Sequence, residues 1–441
     1  MKKIFKVIII VGFIAGIFSC AHKRYAQKTV DSDIKTVATA SSNIKQPYFL
    51  FISDIHLDIA KETTDSTTDT GLDLWKAFKT KIDSILGSSV PPAFVLCTGD
   101  LPAHYKCDTS CYLTGKKLQK HNDELSTVLT DLRNIVSKYK VPLYYVPGNN
   151  DGVSGDYYSF ANGQQQTLFS LVPDPQNPYP ALNVATTGTT APYIISMPHS
   201  SMGYYAALAI PGLRIIALNS VILGNKYEPE DGVPQLNAGN EEMEWLGDQL
   251  KDAKAKGEKV YIAMHIPPGT DAYKFSHHKT PNTTWALLPS AENSWLKTFL
   301  GFAQDYQTTI AGIFYGHTHM DELRLLYDST GSHVTEVAIS APGITPLHSN
   351  NPGFKTVSFD SVSKEPTDFT TYYTTLPVAA TWGNSTYSFS TIFNSKPSST
   401  IYDFLSSQNP DEINKNMDRI YTVINGDPAY DTNSGMIIKW K

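Results

Sequence analysis

Cysteine is scarce in this chain, four residues in 441, which excludes a small fold cross-linked by disulfides. Neither sign of charge dominates: 36 Lys and Arg stand against 42 Asp and Glu, a formal net charge of −6. That balance excludes a nucleic-acid coat and a protein held to an anionic membrane by its own charge. No internal repeat or long low-complexity run is visible. The apolar stretch Val7–Ile17 is shorter than the roughly 20 residues of a spanning helix. What is present is a hydrophobic fraction of 41%, ample for one large buried core.

Five runs of apolar and β-branched residues end in side chains that ligate metals. Residues 47–53 lead to Asp54 and His56, 91–99 to Asp100, 141–148 to Asn149, 259–264 to His265, and 309–316 to His317 and His319. Each run reads as a β-strand, and in open α/β sheets ligand groups gather beyond the carboxyl ends of the strands. Five such endings, scattered over most of the chain, predict one shared pocket. Two independent domains of equal size would divide the series and are therefore not expected.

Imidazole nitrogens and carboxylate oxygens suit zinc, iron or manganese. Seven ligands exceed what one tetrahedral zinc with an open position needs. They suit two cations sharing a carboxylate, the arrangement used for in-line displacement at phosphorus, and Asp100 is the expected bridge. Taken singly, each residue reads as an ordinary buried or surface polar group; the ordered set in strand-end context gives the metal reading its weight. Gly99, Gly148 and Gly316 each stand immediately before a ligand, where a chain turning sharply off a strand needs freedom in φ.

With these motifs in view, the chain resembles the calcineurin-like metallophosphoesterases. The resemblance rests on Asp54-Ile55-His56, Gly99-Asp100, Gly148-Asn149-Asn150-Asp151, the segment around His265, and Gly316-His317-Thr318-His319. Within that superfamily it is most similar to acid sphingomyelinase-like phosphodiesterases, through residues 99–104, 265–269, 316–322 and 351–354. The resemblance covers about residues 48–355. It implies a four-layer α/β/β/α sandwich and two divalent metals, zinc preferred. One metal takes Asp54, His56 and His319, the other Asn149, His265 and His317, with Asp100 and a water or hydroxide between them. Such a water becomes a nucleophile without a protein base. The resemblance also puts His104 near the leaving group, as acid or phosphate ligand; alone, His104 reads equally as a loop residue bonded to backbone.

One position departs from the family, which has His where this chain has Asn150. An asparagine amide donates a hydrogen bond but gives up no proton at neutral pH. General acid catalysis contributes roughly a hundred- to ten-thousandfold, so its loss matters most for strongly basic leaving groups. The spelling Gly-Asn-Asn-Asp is also similar to endopolyphosphatases, whose leaving group is a phosphate. Phosphodiester cleavage is therefore the expected activity and phosphoanhydride cleavage, of polyphosphate or a nucleotide, the alternative. A non-catalytic metal-binding surface lipoprotein is the competing class, favoured by Asn150 alone. The plainer reading of this stretch is that Asn150 supports Asn149 and Asp151 caps the following turn.

At the N-terminus, Lys2, Lys3 and Lys6 precede the apolar stretch, and Ile17-Phe18-Ser19-Cys20 resembles the cleavage box of a bacterial lipoprotein. Residues 1–20 are then a signal peptide, Cys20 a lipid anchor and 21–45, rich in Ser, Thr and Lys, a flexible tether. The expected location is the bacterial envelope, periplasm or cell surface, or outside the cell if Cys20 is not lipidated. Cys97 lies inside a strand run and reads as core. Cys107 and Cys111 suit a short disulfide, a pair of free thiols or a metal contact, and the disulfide is the expectation.

Helical stripes recur between the strands, from Leu74 to Leu86, Leu118 to Val136, Met243 to Leu250 behind Asn240 as cap, and Trp295 to Leu300. A hairpin is expected at Pro211-Gly212. Two loops are expected to wall the substrate: residues 269–290, with Tyr273, His277, His278 and Trp285, and 344–354, with His348. Residues 46–355 form the expected catalytic domain and 356–441 a mainly helical extension, in a protein expected to be a monomer.

Overall fold

The computed structural model describes residues 46–106, 111–164, 166–167, 181–182, 188–270, 284–286, 294–379, 381–396, 398–425 and 437–439. The first part alternates strand and helix: β1 (Tyr48–Ile52), α1 (Leu72–Leu86), β2 (Val95–Cys97), α2 (Gly115–Tyr139), β3 (Leu143–Tyr145) and β4 (Ala181–Leu182). β5 (Tyr193–Ser196), β6 (Tyr205–Ile210), β7 (Leu213–Ala217), α3 (Gln235–Lys256), β8 (Lys259–Ala263), α4 (Trp295–Asp305), β9 (Ile310–Tyr315), β10 (Leu323–Tyr327) and β11 (Val334–Ser340) follow. The chain then returns through β12 (Gly353–Phe359), β13 (Pro366–Tyr373) and β14 (Thr386–Ser388). It closes with α5 (Phe389–Phe393), α6 (Ile401–Ser406), α7 (Pro410–Met417) and β15 (Ile437–Ile438).

These strands make two sheets, ordered β14-β13-β12-β1-β2-β3-β4 and β15-β10-β11-β9-β8-β7-β6-β5. β1, β2 and β3 run parallel in the first, and β7, β8 and β9 in the second. The strand runs look continuously apolar because both faces of each sheet are covered. Phe49 and Phe51 of the first sheet meet Phe314 of the second edge-on, with centroids 5.1 and 5.6 Å apart, so the sheets pack face to face. On the far side of the first sheet, Phe78 of α1 meets Phe354 of β12 at 5.4 Å. On the far side of the second, Leu246 and Leu250 of α3 and Phe299 of α4 bury against Ile216, Ile262 and Ile313. The α/β/β/α sandwich expected from the sequence is thus present.

The hairpin at Pro211-Gly212 joins β6 to β7. Helix α3 starts earlier than expected: Pro234 precedes its first turn, and Asn240, expected as a cap, lies inside the helix and accepts a hydrogen bond from Trp295 Nε1 at 2.9 Å. Beyond residue 355 the chain is less helical than its apolar spacing suggested. β12 continues to Phe359, and β13 and β14 extend the first sheet before α5 to α7 appear. Threonine, tyrosine and phenylalanine, which make up most of β13, favour strand. Cys97 is buried and free, as expected of a core residue. Cys111 is disulfide-bonded, while Cys107 lies outside the described residues, as do residues 1–45 with the expected signal, anchor and tether. No described helix is long and apolar enough to cross a membrane.

Candidate metal centre

The chain turns off its strands in an unusual way where the ligand motifs begin. Asp54, His56, Asp100, His317 and His319 have φ of 50°, 46°, 55°, 73° and 62°, the left-handed region that costs a residue with a Cβ about 1–3 kcal/mol. Of the three glycines read as supplying this freedom, only Gly99, at 87°, is in that region. Gly148 and Gly316 are glycine for lack of room. A Cβ on Gly148 would overlap the Asp100 carboxylate, and one on Gly316 would overlap Ser53 Oγ. The ligand residues themselves carry the turn.

These turns bring together the side chains singled out from the sequence. Among the described residues three groups of donor atoms form, the atoms of each within 4.8 Å of one another: Asp54, His56 and Asp100; Asp100, His265 and His317; and His56, His104 and His319. Asp100 belongs to the first two. His56 Nε2 lies 3.5 Å and His265 Nε2 3.2 Å from Asp100 Oδ2, and His319 Nε2 is 3.4 Å from Asp54 Oδ1. Asn149 Oδ1 is 3.0 Å from His265 Nε2, while its Nδ2 donates to Asp156 Oδ1 at 2.7 Å. Backbone oxygens orient two of the rings, Pro102 O at 3.0 Å from His56 Nδ1 and Thr98 O at 2.6 Å from His265 Nδ1. The imidazole nitrogens opposite these contacts are the ones turned to the shared pocket.

The protonation of these groups shows how poorly the cluster is satisfied by its own members. Burial, with the Asp100 charge behind it, pushes the Asp54 carboxyl up to about 7. Burial, and then His104, pushes His56 down to about 3, and burial followed by His348 holds His319 well below the ordinary histidine range. Burial opposes ionisation of Asp100 too, but the charge and hydrogen bond of His265, then His56 and the Asn150 amide, outweigh it and hold Asp100 far below the usual carboxylate range. Among the described residues, His56 Nε2 and His319 Nδ1 are buried without a hydrogen-bond partner. The orphaned His56 Nε2, 3.9 Å from Asp54 Oδ1 and 3.5 Å from Asp100 Oδ2, fits a divalent cation.

His104 lies beside this cluster. Its ring stacks on His56 with centroids 3.8 Å apart. Both its backbone N–H and its Nδ1 bond the carboxylate of Asp69, at 2.8 and 2.9 Å. Burial lowers the His104 pKa, but the Asp69 carboxylate more than reverses that, so the net shift is upward. Asn150 turns inward: its Nδ2 donates to Asp100 Oδ2 at 2.9 Å and its backbone N–H to Asp100 Oδ1 at 2.8 Å. Asp151 reaches further than a local cap, bonding Leu101 N and the Tyr145 hydroxyl as well as Gly148 N.

Asp69, Asp151 and Asp156 are the residues that sequence reasoning undervalued. Only Asp151 carried a signal, its place in the Gly-Asn-Asn-Asp string. Of the expected substrate walls, His348 stands edge-on to His319 at 4.3 Å. Trp285 is a core residue instead: it is buried, donates Nε1–H to Ile266 O and meets Phe299. Tyr273, His277 and His278 lie outside the described residues.

Residues 47–321 match the calcineurin-like phosphoesterase family, more than half of the chain, and the chain belongs to that family. It is a metallophosphoesterase, a hydrolase whose Asp and His cluster suits divalent metals. Among curated proteins it is 29% identical over 364 residues to "Sphingomyelinase phosphodiesterase D" of Dictyostelium discoideum, covering 76% of this chain and 77% of that one. It is 30% identical over 287 residues to "Sphingomyelin phosphodiesterase" of Bos taurus, covering 62% of this chain and 38% of that one. With "Cyclic GMP-AMP phosphodiesterase SMPDL3A" of Homo sapiens it shares 24% identity over 379 residues, 76% of this chain and 72% of that one. The chain thus spans well under half the length of the bovine relative.

Proposed function

We propose that this protein is a dinuclear-metal phosphodiesterase, with zinc the preferred ion and iron or manganese the alternatives. Asp54, His56 and His319 would hold one cation, Asn149, His265 and His317 the other, and Asp100 both. The carrying observation is the membership of Asp100 in both donor groups, Asp54 with His56 on one side and His265 with His317 on the other. Two cations so held acidify water and neutralise charge on a phosphoryl group. The chain's own residues supply position and protons. Thr98 O and Pro102 O fix two ring orientations. His104, its Nδ1 engaged by Asp69, keeps Nε2 for an oxygen of the phosphate or the leaving group. Sphingomyelin and cyclic GMP-AMP, named for the relatives, are both phosphodiesters, which supports diester cleavage.

Phosphoanhydride cleavage is the second reading, favoured by Asn150. Its amide is bonded to Asp100 and is no acid, so leaving groups that need no proton, such as phosphate, are handled at least disadvantage. The test is a panel of bis-p-nitrophenyl phosphate, p-nitrophenyl phosphate, a nucleoside triphosphate, sphingomyelin and polyphosphate, assayed with zinc or manganese. Turnover of a diester above the others supports the first reading and of an anhydride the second. No turnover of any, with two metals bound per chain, overturns both in favour of a binding protein.

The sequence also supports export, a lipid anchor at Cys20 and a tether over 21–45, followed by a catalytic domain over 46–355 and a C-terminal extension acting as a monomer. Cys20→Ser is expected to release the protein from the membrane fraction of an expressing bacterium. Retention of that variant would refute the anchor.

A further inference from the structure

The cation proposed beside His265 and His317 would also take Asn149, a ligand that is easily presented the wrong way round. Asn149 offers an amide, whose oxygen and nitrogen ends have nearly the same shape but opposite roles. The oxygen can ligate a cation, whereas the NH2 group carries two donors and no usable lone pair. A flipped amide would therefore lose a ligand and also present positive hydrogens to the metal. Nothing in the packing of a planar amide alone decides between the two.

We infer that Asp156 is a positioning residue that makes this choice for Asn149, and through it sets the affinity of the cation held with His265 and His317. A carboxylate only accepts hydrogen bonds, so the group facing Asp156 Oδ1 at 2.7 Å must be the NH2 of Asn149. The amide oxygen then points the other way, 3.0 Å from His265 Nε2. Asp156 is itself tied to the ligand it serves, because the next residue, Tyr157, donates its backbone N–H to Asn149 O at 2.8 Å. The short loop that carries it turns at Gly155, with φ of 116°. There a Cβ would meet the Leu113 side chain and the backbone oxygen of the disulfide-bonded Cys111. Asp156 is seven residues from Asn149 in sequence and belongs to none of the three donor groups, and no motif links it to Asn149.

Partners of this kind, behind the ligand, typically change metal affinity about ten- to a hundredfold. This inference rests on the dinuclear reading above, and the test separates the two. Full-length protein is equilibrated in zinc buffers spanning a wide range of free zinc, and zinc per chain is measured for wild type, Asp156→Ala, Asp156→Asn, Asn149→Ala and the double variant Asn149→Ala/Asp156→Ala. Wild type is expected to take up two ions. Asp156→Ala should weaken one uptake step by about ten- to a hundredfold and leave the other unchanged. Asp156→Asn, which keeps an oxygen able to accept from Asn149, should lie within a few-fold of wild type. The double variant should be no weaker than Asn149→Ala, because Asp156 acts only through that side chain. Asp156→Leu, nearly isosteric and without an acceptor, replaces the alanine variant if the latter does not fold. Unchanged zinc uptake in both non-accepting variants, or multiplicative losses in the double variant, would overturn the inference while leaving two metals in place. Fewer than two ions in wild type would overturn the dinuclear reading and this inference with it.

Discussion

Replacing Asp151 tests how the metal centre is held open in its strained shape. Its buried carboxylate accepts four bonds. Oδ2 takes the backbone N–H of Asp100 at 2.9 Å, that of Gly148 at 2.7 Å and the Tyr145 hydroxyl at 2.7 Å, and Oδ1 takes the N–H of Leu101 at 2.9 Å. One side chain thus fastens the loop after β2 to the loop after β3, between the expected bridging ligand and Asn149. In Asp151→Asn one oxygen becomes an NH2, and the least damaging choice turns it toward Leu101, since the other end faces three donors. That choice strands one buried N–H and weakens three charge-assisted bonds. An unpaired buried donor costs about 1–3 kcal/mol, and a bond to a charged acceptor contributes about 1.5–3 kcal/mol. Against this, burial and then the neighbouring Asp100 charge already disfavour an ionised Asp151 and raise its pKa, so neutralising it returns part of the loss. The net expectation is about 3 kcal/mol for Asp151→Asn, and more for Asp151→Ala, which strands all four donors. Urea unfolding should be measured at fixed zinc and again with chelator, because bound metal adds stability of its own. Hydrolysis of bis-p-nitrophenyl phosphate by the same samples should fall with the displacement of Asp100. Stability within about 0.5 kcal/mol of wild type, with hydrolysis unchanged, would refute the role of this carboxylate as a fastener.

Asp100→Asn is expected to bind fewer than two zinc ions per chain and to lose hydrolysis by more than about a hundredfold, since a ligand matters more than the partners behind it; elemental analysis and full activity of this variant would contradict that. Away from the candidate metal centre, Glu242 is fully buried, one oxygen accepting from Asn219 N and the other without a partner among the described residues, and burial pushes its pKa from 4.5 up to about 8. Its contribution is therefore complete below the unfolded value and is lost as pH rises toward the folded one, by a few kcal/mol on an order-of-magnitude basis. Glu242→Gln should flatten that decline in urea midpoints between pH 5 and 8, roughly the interval separating the two pKa values, and an unaltered slope would show the decline comes from elsewhere. Lys355 and Asp321 form a fully buried pair at 2.6 Å, with Lys355 also donating to Ser340 O. Lys355→Met, leaving the Asp321 carboxylate with the hydroxyls of Thr371 and Tyr387 among the described residues, should lower stability by about 3–5 kcal/mol with zinc content unchanged, as read by thermal melts alongside metal analysis.

The clustering of the candidate ligands was legible because each stands where an apolar run stops, and a strand buried on both faces leaves its carboxyl end as the place where polar side chains can converge. The same logic made the two sheets and their outer helices readable, since the stripes on α1, α2, α3 and α4 have helical period and the runs between them do not. What supports the ligands was far less legible. Asp69 meets His104, and Asp156 meets Asn149, across separations of 35 and 7 residues with no motif between them. An isolated aspartate in a polar loop reads as a solvated turn until the fold supplies its partner. The Thr- and Tyr-rich segment past residue 355 misled for a related reason. A mainly helical extension was expected over 356–441, but β13 alternates buried and half-buried residues with threonine on both faces, so its strand period is weak in hydropathy.

The strain at the centre ties these observations together. Five of the candidate ligand residues adopt left-handed φ without glycine, and at about 1–3 kcal/mol each their sum rivals the whole stability of a domain. Such a conformation persists only if its surroundings leave no alternative. At Asp54 both carboxylate oxygens accept the backbone N–H of His317, at 3.1 and 3.0 Å, so one strained turn locks another across the two sheets. At Asp100 the lock is Asp151 from below and Asn150 from the side. Position 150, where the family resemblance leads one to expect histidine, is thus occupied by a residue that braces the Asp100 carboxylate. On the proposed reading, proton delivery to a basic leaving group would fall to His104, held by Asp69. A site arranged in this way gives up acid strength at one position for rigidity at another. That exchange is tolerable when leaving groups are stable anions and disabling when they are alkoxides without a second donor. On the proposed reading, the leaving-group preference would therefore depend on how well Asp69 and His104 do the work that Asn150 cannot.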